Sequence, residues 1–383
     1  MRIRPIFLLL LLLVACEKGP QYVTPVIPGS GNEGTDDNGS GTADGSSKYD
    51  FNIVSAPLSG TTVLTYGSTL RYQSVMQSFA LTGNGYMYGI QVGTSTDKYL
   101  LNITYKPVSG DTGKIYMQLP FAGHGSNMEF EREPNDGPGY IWTGSYGTWN
   151  GTKYTNSQTI ARIPFRPGES LTPQQCTEQF YQPGLRNVAP ALDFDSDLLA
   201  IWGLSNAESG VGYFKVYSLR HALALPYSDI KLEREITYGG GSSGVPEVTE
   251  TPTIKARNLG SLTPLANIRL KDGVIGTGAH QGFEVLPGII LHLTGGGNDD
   301  NPSLASESIL TVLDFKGKVL GRYNVGAISD KAALANAGIT DTGFMEAEGV
   351  KVYDDVLYLG YATKHSSDSR RMVTIFKYDI LKK

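Results

Sequence analysis

The chain is poor in cysteine, histidine and tryptophan, and this limits the chemistry open to it. Its 383 residues include two cysteines, five histidines and three tryptophans. The histidines show no spacing typical of metal ligands, and no HExxH, Walker-type or GxSxG motif occurs. We therefore predict no catalytic residues, no metal and no cofactor, and a protein that is not an enzyme.

Clustered basic charge and cysteine pairs are also missing. Lys and Arg number 32 against 37 Asp and Glu, and no basic run is interleaved with aromatic residues. This balance argues against nucleic acid as a partner, because phosphate backbones are bound by clustered positive charge. If Cys16 is lipidated, Cys176 has no intrachain disulfide partner. We expect Cys176 to be a small buried hydrophobic residue.

A long apolar run occurs at the N-terminus. Residues 6–14 follow the basic residues Arg2 and Arg4, and the run is shorter than the roughly 20 residues needed to cross a bilayer. It therefore predicts a secretory signal peptide, residues 1–15. The following LVAC, residues 13–16, resembles a bacterial lipobox, in which Cys16 becomes the lipidated first residue. An ordinary signal peptide followed by a chance cysteine is the alternative.

Residues 29–47, further along the chain, lack large apolar side chains. Residues 29–47 read GSGNEGTDDNGSGTADGSS and bury too little surface to offset the entropy of ordering. We predict that residues 16–47 form a lipidated, flexible tether, of which residues 20–47 have an r.m.s. reach on the order of 30 Å. The expected location is the outer membrane of a Gram-negative envelope, with the following domain surface-exposed or periplasmic.

Residues 48–383 show short alternating apolar runs between Gly, Asn, Asp and Pro, the pattern of an all-β domain. One unit recurs five times: a polar residue, a small residue, two apolar residues one position apart, a tight turn and a second strand. The small residues are Ser78, Asn127, Ala191, Gly282 and Gly349. The positions before them are Gln77, Ser126, Pro190, Gln281 and Glu348.

A further strand follows each unit, and equivalent positions are 49 to 91 residues apart. Repeats of this length predict four-stranded antiparallel blades, so the expected fold of residues 48–383 is a five-bladed β-propeller. A sandwich of similar hairpins is the alternative. We expect residues 50–72 to supply a strand that closes the ring against the last blade. Residues 223–275 should form outer strands of the third blade and a long loop.

Three stretches resemble the helveticin J-like family: YQSVMQSFALTGNGYMYGIQV (72–92), GHGSNMEFE (123–131) and GTKYTNSQTIARI (151–163). The resemblance extends over about residues 72–380. It implies a propeller-like fold and a bacteriocin-type antibacterial factor, and it assigns no catalytic residues. A secreted bacteriocin diffuses to its target, so the predicted tether implies a contact-dependent activity instead.

The polar starts of the repeats predict a ring of side chains at one mouth of a propeller channel. The ring comprises Gln77, Ser126, Gln281 and Glu348, joined by His124, His280 and Glu346. Such amide, hydroxyl, imidazole and carboxyl groups can hold sugar hydroxyls, and Trp149, expected at a loop tip, offers a flat ring for stacking on a sugar face. A polar channel that holds only water is the alternative.

Carboxylates pose a second question about the repeats. Glu346 and Glu348 are two residues apart on a strand, so they share a face, as a glycosidase acid and base would require. Another set, Glu129, Asp193 and Glu284, lies at one repeat position, which Lys351 occupies in the fifth copy. We expect this second set to pair structurally between blades.

Together these patterns predict a surface-tethered, non-catalytic protein that binds a cell-surface or environmental ligand, with a glycan as the expected ligand. Its expected partners are the carbohydrate, the membrane through the lipid anchor, and an outer-membrane transporter. A helveticin-like antibacterial factor and a carbohydrate-active enzyme that uses the channel carboxylates are the alternatives.

Overall fold

Short antiparallel strands dominate the protein. The computed structural model describes residues 49–50, 62–93, 101–110, 114–132, 139–149, 154–155, 157–176, 178–238, 244, 246–271, 278–297, 307–325, 335, 344–365, 368–379 and 381–382. They belong to one unit of the chain, Asp44–Lys383. The predicted signal peptide, Cys16 and the tether lie outside the described residues.

Five sheets contain most of the strands. From the innermost strand outwards, blade 1 comprises β3 (Met76–Leu81), β4 (Tyr86–Val92), β5 (Leu101–Pro107) and β6 (Ile115–Leu119). Blade 2 begins with β7 (Met128–Glu131), β8 (Tyr140–Ser145), β11 (Thr159–Pro164) and β12 (Glu178–Tyr181). Blade 3 comprises β13 (Leu185–Asp193), β14 (Leu198–Ser205), β15 (Gly212–Ser218) and β20 (Ala266–Leu270).

The last two blades follow the same plan. Blade 4 comprises β21 (Ala279–Leu286), β22 (Ile289–Gly296), β23 (Glu307–Asp314) and β24 (Val319–Asn324). Blade 5 comprises β25 (Met345–Tyr353), β26 (Val356–His365), β27 (Asp368–Asp379) and β2 (Thr62–Ser68). Strand β2, from the N-terminal part of the chain, pairs with β27 as the outermost strand of blade 5. This pairing confirms the predicted closing strand.

The innermost strands form a closed ring. Strand β3 contacts β7, β7 contacts β13, β13 contacts β21, β21 contacts β25, and β25 returns to β3. Apolar side chains of neighbouring blades pack between the sheets, and Trp142 and Trp202 are buried there. The fold is therefore the predicted five-bladed β-propeller.

Three small sheets and a few helical turns complete the described structure. The remaining strand pairs are β1 (Tyr49–Asp50) with β28 (Leu381–Lys382), β9 (Thr148–Trp149) with β10 (Tyr154–Thr155), and β17 (Ile236–Tyr238) with β18 (Val248–Glu250). The helical segments are α1 (Leu219–Ala224) and the 3-10 turns Pro173–Gln175 and Leu259–Ser261. No described helix is long and apolar enough to cross a membrane.

The insertion between β15 and β20 departs from the prediction. Strands β16 (Tyr227–Lys231) and β19 (Thr253–Asn258) join blade 2, where β19 pairs in parallel with β12. Only Ala266–Leu270 from residues 223–275 adds to blade 3. The expectation that these residues form outer strands of the third blade alone is therefore wrong. Ile254 and Ala256 are buried in the core between blades 1 and 2, and that burial determines the pairing.

The ring defines two ends of the molecule. Each innermost strand meets the next strand at a turn, and residues 82–85, 194–197, 287–288 and 354–355 form four of these turns. We call this the hairpin end. The opposite end, where the innermost strands begin, has a β-bulge in blades 1, 3, 4 and 5 and is called the bulge end.

Candidate ligand-binding site

Three of the four bulges, those of blades 1, 4 and 5, coincide with the predicted polar positions. The register shifts between Met76 and Ser78, between His280 and Gly282, and between Ala347 and Gly349. The extra residues are therefore Gln77, Gln281 and Glu348. A bulge interrupts the ladder and redirects the side chain of the extra residue. Three blades thus present a polar side chain at the same place, at the same end of the ring.

The candidate side chains differ in their access to solvent. Gln77, His124, Ser126 and Gln281 are half-buried. The amide of Gln281 donates a hydrogen bond to the Gly295 carbonyl at 3.2 Å, which holds it against the end of β22. Gln77, Ser126 and the amide oxygen of Gln281 are groups that can form hydrogen bonds to a ligand at the bulge end.

The two carboxyl groups of blade 5 lie at different depths. Glu346 is half-buried and lies close to Gly297. A Cβ added to that glycine would be 3.0 Å from the Cβ of Glu346. Glu348 is only 2% exposed. Burial, and then the charge of Glu346, raises the pKa of Glu348 well above its ordinary value. The pair therefore combines a carboxyl group that favours its protonated form with a more accessible neighbour.

His280 is itself half-buried and packs against the buried rings of Trp202 and His292. Its ring stacks on Trp202 with centroids 3.8 Å apart and planes 2° apart, and its Nδ1 lies 3.1 Å from Nε2 of His292. Burial, and then the neighbouring His292, lowers the pKa of His280 well below its ordinary value. Burial also lowers the pKa of His292 to about 3. Both rings are therefore neutral at pH 7, and His280 contributes to packing.

Sequence reasoning did not identify His292 as a partner of His280. The relevant signal is the hairpin in QGFEVLPGIILHL, which places His292 opposite Phe283 and within reach of the bulge at Gln281. The short spacing between strands, rather than a metal-ligand motif, brings the two imidazoles together. Among the described residues, no group of three His, Cys, Asp or Glu side chains is arranged to hold a metal ion.

The small residues of the repeats close the ring at its axis. Asn127 donates hydrogen bonds from Nδ2 to the carbonyls of Pro190 and Phe283, at 2.7 and 2.9 Å. It thereby joins blade 2 to blades 3 and 4. A Cβ added to Gly282 would lie 3.1 Å from the Cα of Gly349, and both glycines have positive φ, 142° and 150°. The backbones of β21 and β25 therefore meet near the axis. A ligand bound at the bulge end would accordingly lie in the mouth of the propeller channel.

A buried ion cluster lies further along the same strands. Lys351 from blade 5 contacts Oε1 of Glu129 from blade 2, and its Nζ lies 3.5 Å from Oε2 of Glu284 from blade 4. All three residues are at most 7% exposed. This confirms the expected structural pairing between blades for Glu129 and Glu284, whereas Asp193 accepts a hydrogen bond from the Ser196 N–H in its own turn at 3.0 Å. Lys351, Glu129 and Glu284 are called the central ion cluster below.

Two other predicted residues have different outcomes. The backbone of Trp149 pairs with Tyr154 in the β9–β10 hairpin, but its side chain lies outside the described part of the structure. Cys176 is half-buried against the core between blades 1 and 2, and burial raises the pKa of its thiol. A thiol that resists ionisation fits the predicted role of a small hydrophobic residue.

Comparisons with known proteins bear on the fold. No protein-family model matches the sequence, and no curated protein matches it. The chain is similar to a solved structure of the tail fiber of Staphylococcus aureus phage P68, with 14% identity over 84% of this chain and a TM-score of 0.50. The match covers 52% of the tail fiber, so this chain spans about half of its length.

A second solved structure overlaps more loosely. The polysaccharide lyase Uly1 aligns with 83% of this chain and 91% of its own, with 8% identity and a TM-score of 0.29. A TM-score this low does not indicate a shared fold. The likeness to the tail fiber supports the propeller architecture and nothing finer.

Proposed function

We propose that this protein is a surface-tethered, non-catalytic binding protein whose bulge end recognises a glycan of a cell surface or of the environment. The observation that supports it best is the repeated polar position, Gln77 and Gln281 as bulge residues with Ser126 at the matching place in blade 2. Side-chain amides and hydroxyls pair with sugar hydroxyls in both donor and acceptor directions. Their shared level in the ring lets one extended ligand reach several of them.

The closed axis supports a ligand of this shape. Asn127 follows Ser126 directly and links blades 2, 3 and 4, so the axis is closed beside the polar positions. A ligand there would lie across the end of the ring, as an extended chain of sugars can, whereas a small apolar molecule needs a deep pocket. The lipid anchor and the transporter partner remain predictions from the sequence.

The test is a binding titration of the full chain against a broad panel of polysaccharides and oligosaccharides. Gln77→Ala and Gln281→Ala should each weaken binding by up to about tenfold, the equivalent of one lost hydrogen bond. Lys255→Ala, an exposed change on β19, is the matched control and should leave affinity unchanged. A panel without a single binder, or equal loss in the control, would contradict the proposal.

A second candidate function is a carbohydrate-active enzyme, and the Glu346–Glu348 pair favours it. A buried carboxyl group with a raised pKa beside an accessible carboxyl group is the usual arrangement of a general acid and its partner. The 2% exposure of Glu348 weighs against this function, because a general acid must reach the glycosidic oxygen. Release of reducing ends that is lost in Glu348→Gln and retained in Glu208→Gln would establish it over pure binding.

A further inference from the structure

Large exposed apolar side chains gather at the hairpin end. Among the described residues, blades 1, 3, 4 and 5 each expose at least one such side chain where a strand starts or ends at that end. They are between 37% and 57% exposed. Representatives are Tyr86, Ile115, Phe194, Leu265, Leu320 and Tyr353.

Strand register assigns these side chains to the hairpin end. Tyr353 directly precedes the innermost turn at 354–355, and Phe194 is the first residue of the turn at 194–197. Tyr86 is opposite Pro107, the last residue of β5, and β6 then begins with Ile115. We call these six residues the apolar rim. Tyr227 on the inserted strand β16 is an exposed aromatic residue that does not belong to it.

The chain also enters the propeller at the hairpin end. Asp379 pairs with Val356, the first residue after the turn at 354–355. Strand β28 starts two residues after Asp379, at most about 7 Å along the chain. Tyr49 pairs with Lys382 of β28. The segment that precedes Tyr49, predicted to be the lipidated tether, is therefore attached beside the apolar rim.

From these two placements we propose that the hairpin end rests on the lipid bilayer, with the apolar rim in the interfacial layer and the bulge end facing away. This inference rests on the lipid anchor of the proposed function. A tether attached at the hairpin end lets that end approach the bilayer directly. A tether attached at the bulge end would have to run along a blade before it reached a bilayer at the hairpin end. That path is roughly 30 Å, the length of nine residues of strand.

The arrangement of the rim fits a bilayer better than a protein partner. Its side chains are spread over four blades, whereas a protein interface concentrates buried aromatic residues in one central patch. Tyrosine rings with polar tips, such as Tyr86 and Tyr353, suit the membrane–water interface. Exposed charges of both signs lie at this end, Asp195 and Asp354 with Lys316 and Lys318, so we attribute the attraction to apolar insertion.

The experiment uses the full-length lipoprotein reconstituted in vesicles of phosphatidylethanolamine and phosphatidylglycerol that contain nitroxide-labelled lipid. An environment-sensitive fluorophore is attached to Tyr353→Cys or Leu320→Cys in a Cys176→Ala background. Gln73→Cys, exposed at the bulge end, is the matched control. We expect a blue shift and strong quenching at residues 353 and 320, and neither effect at residue 73. Higher salt should not abolish the quenching.

The outcomes separate anchoring from orientation. Protein that does not float with the vesicles refutes the lipid anchor, and the inference falls with it. Protein that floats without quenching at residues 353 and 320, or with equal quenching at residue 73, refutes the orientation and leaves the anchor intact. Self-crosslinking through Tyr353→Cys would assign the rim to a second copy instead. Tyr353→Glu should lower the quenching at residue 320 severalfold without loss of flotation.

Discussion

Glu348 and its counterparts in other blades show how one position can have different environments. Gln77 and Gln281 occupy the same bulge position but remain half-buried, whereas Glu348 is buried beside Glu346. A buried carboxyl group is costly to ionise, so the native state favours its protonated form. The pattern of polar repeats predicts the position, but the surrounding side chains determine the protonation.

The pH dependence of stability tests this environment. The pKa of Glu348 in the folded protein is raised above its usual 4.5. The protonated carboxyl group therefore makes its full contribution to the free energy of unfolding below pH 4.5, and this contribution is lost as the pH rises through the folded pKa. Glu348→Gln removes this loss. The free energy of unfolding of the variant should therefore gain on wild type by up to about 1.4 kcal/mol per pH unit above pH 4.5.

Urea unfolding between pH 4 and pH 8 provides the measurement. Glu208→Gln, at an exposed position paired with Arg269, is the control and should show no such trend. A difference between Glu348→Gln and wild type that stays constant across this range would mean that the carboxyl group of Glu348 is ionised normally.

At the scale of elements, the strands of the repeats follow the predicted alternation. The sequence of the inserted strands β16 and β19, however, does not predict which sheet they join. Strand β19 has alternating exposed and buried residues, and that pattern fits the open edge of more than one sheet. The contacts of Arg257 distinguish them. Its Nε lies 2.9 Å from Oε2 of Glu178 on β12, and its guanidinium packs 4.4 Å from the centroid of Tyr227.

We predict that Arg257→Met loosens the insertion from blade 2. The change removes a largely buried charged hydrogen bond and leaves Glu178 with Arg162 at 3.7 Å, so the free energy of unfolding should fall by about 1.5–3 kcal/mol. Hydrogen exchange of β16 and β19 should rise more than that of β14. Arg269→Met, which breaks the exposed pair with Glu208, is the matched control and should change little. Equal effects would show that Arg257 has no special docking role.

At the scale of the whole molecule, contacts across the axis join blades that are remote in sequence. The central ion cluster connects blades 2, 4 and 5, and Asn127 connects blades 2, 3 and 4. Desolvation raises the pKa of Glu129, and the charge of Glu284 adds to the shift while Lys351 opposes it. The cluster therefore depends on Lys351 as its shared cation.

Lys351→Met should destabilise the propeller by about 3–5 kcal/mol, because two buried carboxyl groups lose their cation. The triple variant Lys351→Met, Glu129→Leu, Glu284→Leu removes all three ionisable groups together. It should recover most of the loss, since apolar replacements of buried ion clusters are often neutral or better. Urea unfolding of both variants is the measurement. A triple variant as unstable as the single one would mean that the cluster contributes more than charge balance.

The sequence by itself determined the all-β class, the five repeats, the closing strand and the positions of the polar ring. These properties follow from period-two alternation and turn residues, which act over a few neighbouring positions. Only the tertiary structure decided that Glu348 is buried, that His280 pairs with His292, that Asn127 closes the axis, and that the insertion joins blade 2. Each of these depends on side chains that come together across the ring, and such contacts leave no periodic signal in the chain.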